Sequence, residues 1–402
     1  MALALWTSAC PTMTYPLYQA DWGVSTTTIT WIFAAYPIAL IPVLILLGDL
    51  SDRIGRRASM LLGLAAEFVG VMLFAVAGDV GWLLIGRAFM GLGVGLSISP
   101  ANVAMVEFSA PGQAKRASAV STAISAFGIG LAMVVGGGLS EYAPFPLHLH
   151  FYVLAAVIAA VGCLVVRMPR PSQSGSPQRW RVRPIVIPRG SRIVFFAGAI
   201  AFASSFLLGA IVLPLGAKIA QQLAGSANAL ITGALLAVFA ACITLFALLA
   251  RRIHVWLLVV LGAAGSLTAV WLFVVTGTVH SLALFFLASA VAGAAYAFDF
   301  AGGLMVFNQY AAPQHRTSMV SGGYLIGYVA QGIGAPSLGA VVTAHGLMSG
   351  LLTGAAVFGA FFIVVVIGGL AVLAPLHRAG RHAAHGATTS VTPAEEPVDT
   401  SK

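Results

Sequence analysis

Apolar stretches long enough to cross a bilayer follow one another along this chain with only short polar breaks between them. That recurrence constrains the fold more than any other feature. A spanning helix takes about 20 apolar residues, because lipid offers its backbone no hydrogen bonds. The sequence predicts twelve such helices, over 1–20, 26–47, 58–77, 80–107, 118–140 and 150–168, then 191–216, 226–250, 255–275, 281–310, 318–342 and 350–375. Composition agrees: mean hydropathy is +0.98, and only 8% of residues are charged. No water-soluble core hides that much apolar surface, so the solvent must be lipid.

Charge sets the orientation. Of the 20 Lys and Arg, only Arg87 and Lys218 fall outside alternate breaks, their flanks and the tail. Basic residues near helix ends stay on the cytoplasmic side. Both termini are therefore expected in the cytoplasm, with an even number of spans. The net charge of +9 is spread over loops and not gathered on one soluble face, which argues against nucleic acid as a partner. Abundant arginine, alanine and glycine point to a bacterial inner membrane.

The fold class expected is an all-α membrane protein, with twelve transmembrane helices in two pseudo-symmetric six-helix bundles. The first bundle covers 1–168 and the second 191–376. Between them, 169–190 carries Pro169, Pro171, Pro177, Pro184 and Pro188, which forbid a long helix and mark a cytoplasmic linker. The tail, 377–402, is polar and expected to be disordered. The first apolar segment begins at Met1 without a basic leader. That argues against a cleaved signal, although Thr7-Ser8-Ala9 precedes Cys10. A first span clipped at its start is expected instead.

The halves echo each other. Arg116-Ala117-Ser118-Ala119-Val120-Ser121 recurs as Arg316-Thr317-Ser318-Met319-Val320-Ser321, each at the entry to a glycine-rich helix, the fifth and the eleventh. Duplicated halves place a binding site at the repeat interface.

Between the second and third spans stands Gly48-Asp49-Leu50-Ser51-Asp52-Arg53-Ile54-Gly55-Arg56-Arg57. It fills every position of G-x-L-x-D-R-x-G-R-R and resembles the first signature of the major facilitator superfamily. Arg87-Ala88-Phe89-Met90-Gly91-Leu92-Gly93-Val94-Gly95 is similar to the second signature of that family's drug:proton antiporter branch. Gly128, Gly136 and Gly137 match the third, with Ala132 and Met133 where its Gly-Pro stands. The resemblance implies a secondary transporter that moves a small organic solute by alternating access. It implies proton-coupled efflux, with a proton-coupled importer as the alternative. Partners are then the solute, protons and lipid, and a monomer is expected.

The resemblance also assigns roles. Gly48, Asp52, Arg53, Gly55, Arg56 and Arg57 form a latch for the outward-facing state. Arg87 is tied to proton coupling. Asp299, on the tenth span, is placed by the family in the wall of the central cavity, where it carries the proton. A central charge costs on the order of 3 kcal/mol, so it needs a reason. Glu67 lies mid-way along the third span, which the resemblance puts outside the cavity-lining set; it reads either as a functional buried acid or as a packing or interhelical hydrogen-bonding one. Tyr15, Tyr36, Asn102, Tyr296, Asn308 and Gln331 are candidates to contact cargo, with Tyr18 and Trp22 as interfacial aromatics. Cys10, Cys163 and Cys242 lie singly in apolar segments and offer no metal or disulfide spacing. No nucleotide loop, nucleophile elbow or zinc motif appears, so neither enzyme activity nor a cofactor is expected.

Overall fold

The computed structural model describes residues 1–47, 50–107, 114–168, 187, 191–225, 228–310 and 315–368. Within these, the side chains of 52, 102, 103, 106, 107, 114–123, 310, 317, 366 and 368 stand outside the description. Among the described residues there is helix and no strand. The helices are α1 (Ala2–Ala9), α2 (Tyr15–Trp22), α3 (Thr26–Leu46), α4 (Leu50–Ile54), α5 (Arg56–Ala75), α6 (Val80–Glu107), α7 (Ala114–Tyr142) and α8 (Leu149–Val166). After residue 190 come α9 (Arg192–Gln222), α10 (Ala229–Ala250), α11 (Val255–Val279), α12 (Leu282–Tyr310), α13 (Arg316–His345) and α14 (Leu347–Gly368).

Eleven of these are long and apolar enough to cross a membrane. The twelfth span is α1 and α2 together. The sequence predicts one helix there, and the structure breaks it with a 3-10 turn at Cys10–Met13. Pro11 and Pro16 are the cause: neither carries an N–H for the helical ladder, and each stands at the start of a new segment. A second difference lies in the basic hinge, which is expected as a loop. Residues 50–54 form the short helix α4, and Gly55 breaks it with φ 86° before α5 begins. That positive φ favours glycine. Gly48 and the side chain of Asp52 lie outside the described residues.

Before residue 169, α5 packs on α6 and α8, α6 on α3, and α1 on α7. After it, α12 packs on α9, α10 and α11, and α13 on α9. The most extensive contacts joining the sides are α7 against α10 and α3 against α13, with smaller ones from α9 to α2 and α3. The first is close because small residues face each other. A Cβ on Gly137 would collide with the Ala229 backbone, and one on Gly233 with Met133. Such approaches are how helices associate without a hydrophobic drive between them.

Hydrogen bonds reinforce that seam at one end of the bundle. Thr27 donates from its N–H and its hydroxyl to Thr343 Oγ1, each at 2.9 Å. Lys218 Nζ reaches Thr26 Oγ1 at 2.6 Å. Asn228 Nδ2 donates to the Tyr142 hydroxyl at 3.1 Å, and the Ala229 N–H to Glu141 Oε2 at 2.7 Å. These are the helix ends opposite the Gly48–Arg57 segment, so the structure is stitched shut there.

Candidate functional site

The seam holds an aromatic cluster. Helical spacing of four residues stacks rings in pairs along one face: Phe202 and Phe206 on α9, Tyr296 and Phe300 on α12, Tyr324 and Tyr328 on α13. The pairs then interlock. Phe206 meets Tyr328 edge-on at 4.8 Å, Phe202 lies 4.7 Å from Phe300, and Phe239 of α10 meets Tyr296 at 5.8 Å. Gln331 and Tyr296 both face Gly209, where a Cβ would stand 3.5 Å from Gln331 Nε2 and 3.6 Å from the Tyr296 ring. From the other side of the seam comes Tyr36 on α3, in the core against which Tyr328 packs.

Behind Tyr36 lies Arg87. Its guanidinium sits 5.2 Å from the Tyr36 ring centre and 5.4 Å from that of Phe33. Nη1 donates to the Ser8 carbonyl at 2.8 Å, while Nε has no partner. Only 1% of the residue is exposed. The planar guanidinium is thereby fixed between the first span and α3, a position that suits arginine better than lysine. Tyr15 is buried beside it in the same core.

Of the residues expected to contact cargo, the structure brings Tyr36, Tyr296 and Gln331 together and sets Tyr15 beside Arg87. Asn308 does not join them: its amide donates to Leu304 O of its own helix at 2.9 Å. The side chain of Asn102 lies outside the described residues. Tyr18 and Trp22 pair at 4.7 Å, with Tyr18 buried. Phe202, Phe206, Phe300, Tyr324 and Tyr328 escaped the sequence reading, although their spacing of four marks them.

Asp299 stands in the tenth span, as expected, but its carboxylate turns onto α11. Ser266 Oγ donates to Oδ2 at 2.7 Å, Oδ1 has no partner, and the residue is fully buried. Gly262 makes room for it, since a Cβ there would collide with the carboxylate. Glu67 is equally buried and better bonded. It meets Ser97 Oγ of α6 at 2.8 Å and Thr7 Oγ1 of α1 at 3.0 Å. Among the latch residues, Arg57 donates to Met168 O at 3.1 Å, within its own half. No cluster of three or more metal-ligating side chains occurs among the described residues.

Two halves of membrane-spanning helices closing on a polar and aromatic seam define a multi-pass membrane transporter. The pattern of the Major Facilitator Superfamily matches residues 1–253, and the chain belongs to that family. It is 31% identical over 166 residues to the puromycin resistance protein pur8 of Streptomyces alboniger, a match covering 41% of this chain and 32% of that one. It is 32% identical over 153 residues to the multidrug efflux pump LfrA of Mycolicibacterium smegmatis, covering 37% of this chain and 28% of the other. These matches span about a third of the relatives' length. The fold resembles that of the nucleoside transporter NupG, with TM-score 0.71 and 16% identity over 92% of this chain and 96% of that one.

Proposed function

We propose that this chain exports small organic compounds with aromatic surface, driven by proton entry. The observation that carries the reading is the cluster of Tyr36, Phe206, Tyr296, Phe300, Tyr324, Tyr328 and Gln331 at the seam. Rings offer stacking faces to a planar solute, and the Gln331 amide and the phenols offer hydrogen bonds that orient it. The relatives named for puromycin resistance and multidrug efflux support export.

In this reading 1–168 and 191–376 rock against each other about the α3–α13 and α7–α10 contacts, joined by 169–190. The hydrogen bonds around Thr26, Lys218 and Glu141 hold the outer face closed, with both termini in the cytoplasm of a bacterial cell and the monomer as the working unit. Gly48, Asp52, Arg53, Gly55, Arg56 and Arg57 latch the opposite face when the bundle turns outward. Bonds made in only one state bias the equilibrium between states. Asp299, with an oxygen left unpartnered, takes up and releases the proton, and Arg87, behind Tyr36, is tied to the same coupling.

The test is uphill movement of a planar aromatic dye in proteoliposomes under an imposed proton gradient. Wild type accumulates the dye, and a protonophore abolishes it. Tyr296→Ala raises KM about 3- to 10-fold, the loss of one stacking contact. Asp299→Asn retains binding and loses accumulation. Dye movement unaffected by the protonophore removes the coupling, and an unchanged KM in Tyr296→Ala removes the seam as the site.

A further inference from the structure

Glu67 is a second buried acid, and the hydrogen bonds around it do not balance for a carboxylate. The Thr7 hydroxyl lies 3.0 Å from Leu3 O and 3.0 Å from Glu67 Oε2. A hydroxyl carries one hydrogen, so it donates fully to one of them. The Leu3 carbonyl can only accept. Both bonds form at full strength when Glu67 itself supplies a hydrogen, with Oε2–H donating to Thr7 Oγ1 and Thr7 donating to Leu3. Ser97 Oγ donates to the other oxygen, Oε1, at 2.8 Å. Glu67, Thr7 and Ser97 are 0%, 0% and 7% exposed, so the acid is closed off from bulk solvent in this conformation.

We infer that Glu67 is a proton-binding site, occupied in this conformation and formed jointly by α1, α5 and α6. The ligand is a single proton. On release it passes to water, Oε2 becomes an acceptor, and the Thr7 hydroxyl turns from Leu3 O to the new carboxylate. That rearrangement falls on Thr7, and the next residue, Ser8, supplies the carbonyl that anchors Arg87. One dipeptide of the first span therefore links proton occupancy at Glu67 to the arginine behind Tyr36. Among the described residues, the Tyr36 phenol on α3 is a titratable group within range of Glu67. From α6 it faces Ser97 and Gly93. The site does not depend on Asp299 exchanging a proton, and the test reads the two acids separately.

The measurement is infrared difference spectroscopy of the full chain in lipid nanodiscs at neutral pH, following the carbonyl stretch of protonated carboxylic acids. Wild type minus Glu67→Gln leaves one carboxylic acid band, and Asp299→Asn keeps that band. The glutamine amide copies the donor and acceptor of the acid, so the variant folds as wild type does. Thr7→Val gives an independent reading: the Glu67 band shifts because its acceptor is gone. Identical carbonyl regions for wild type and Glu67→Gln overturn the inference. So does a band that Thr7→Val leaves in place.

Discussion

The two buried acids occupy matching helix pairs, and the pairs are wired in opposite senses. In the α5–α6 pair the acid is on the first helix and the serine on the second: Glu67 with Ser97. In the α11–α12 pair the serine is on the first helix and the acid on the second: Ser266 with Asp299. Glu67 and Ser266 stand about 200 residues apart, as do Ser97 and Asp299, which is the offset of the Arg-Ser-Val-Ser repeat. The glycines correspond as well. A Cβ on Gly63 would press on Ser97 Cβ at 2.7 Å, and one on Gly262 would strike Asp299. Duplication has kept the close helix crossing and exchanged the chemistry across it. A crossing of this kind requires a small residue and one donor–acceptor pair, and it does not require the acid on a given side. The surroundings differ too. Glu67 has a third helix to bond with, through Thr7, while Asp299 keeps one oxygen unpartnered.

The contrast is sharpest one layer away. Arg87 and Ser289 stand at equal distance from Ser97 and Asp299 on their helices, and both are buried. Arg87 joins Ser8, Phe33 and Tyr36, whereas the Ser289 hydroxyl has no partner. Arg87→Ala gives up a charged hydrogen bond and two ring contacts, and is expected to cost about 3 kcal/mol. Ser289→Ala removes an unsatisfied hydroxyl and leaves stability unchanged or raised by about 1 kcal/mol. Thermal unfolding in detergent separates the two, and equal losses would dissolve the asymmetry. Next in size come the crossings. Gly63→Ala and Gly262→Ala each force helices apart at about 1–3 kcal/mol. Their rescue differs. Asp299→Ala relieves part of the clash at Gly262, because the carboxylate is the first atom met. At Gly63 the obstacles are the Gly93 carbonyl and Ser97 Cβ, which no truncation at 97 short of glycine removes. A double-mutant cycle at each site measures this, with coupling expected at the second crossing alone.

Much of this architecture was legible in the sequence because lipid makes length and hydropathy nearly sufficient. The long spans lie within a few residues of the expected ranges where they are described, apart from the longer extension of α9 to Gln222. The break in the first span was less legible, since an apolar run hides the spacing of Pro11 and Pro16. Direction was the hardest to read. An α12 that is apolar all round, Ala-, Gly- and Phe-rich about Asp299, has no polar stripe to fix its phase. Nothing in its pattern decides whether Asp299 turns to the seam or to α11. Tyr36, Tyr296 and Gln331 were found as individual polar residues in apolar helices. The rings that join them were missed because aromatic residues in a spanning helix are common, and only their repeated spacing of four distinguishes these. Nothing in the sequence singles out Thr7, Ser97 and Ser266 as the partners of Glu67 and Asp299.

The smallest expected effects bear most directly on the inverted wiring. Ser97→Ala and Ser266→Ala each remove one hydroxyl and one hydrogen bond to an acid, and each leaves a similar small void. Interhelical hydrogen bonds of this kind are worth about 0.6 kcal/mol on average, up to about 1.7. If the pairs were equivalent, the two variants would lose the same amount. They are not equivalent. Glu67 without Ser97 still has Thr7, so Ser97→Ala belongs near the average. Asp299 without Ser266 has no partner among the described residues, so Ser266→Ala belongs near the upper end. Adding Asp299→Asn to Ser266→Ala removes the carboxylate's capacity for charge and recovers part of the loss, since an amide is less costly to bury than a charge. Melting temperatures of the three variants in one detergent decide the point, and a Ser97→Ala loss equal to or above that of Ser266→Ala would mean that Thr7 does not hold Glu67.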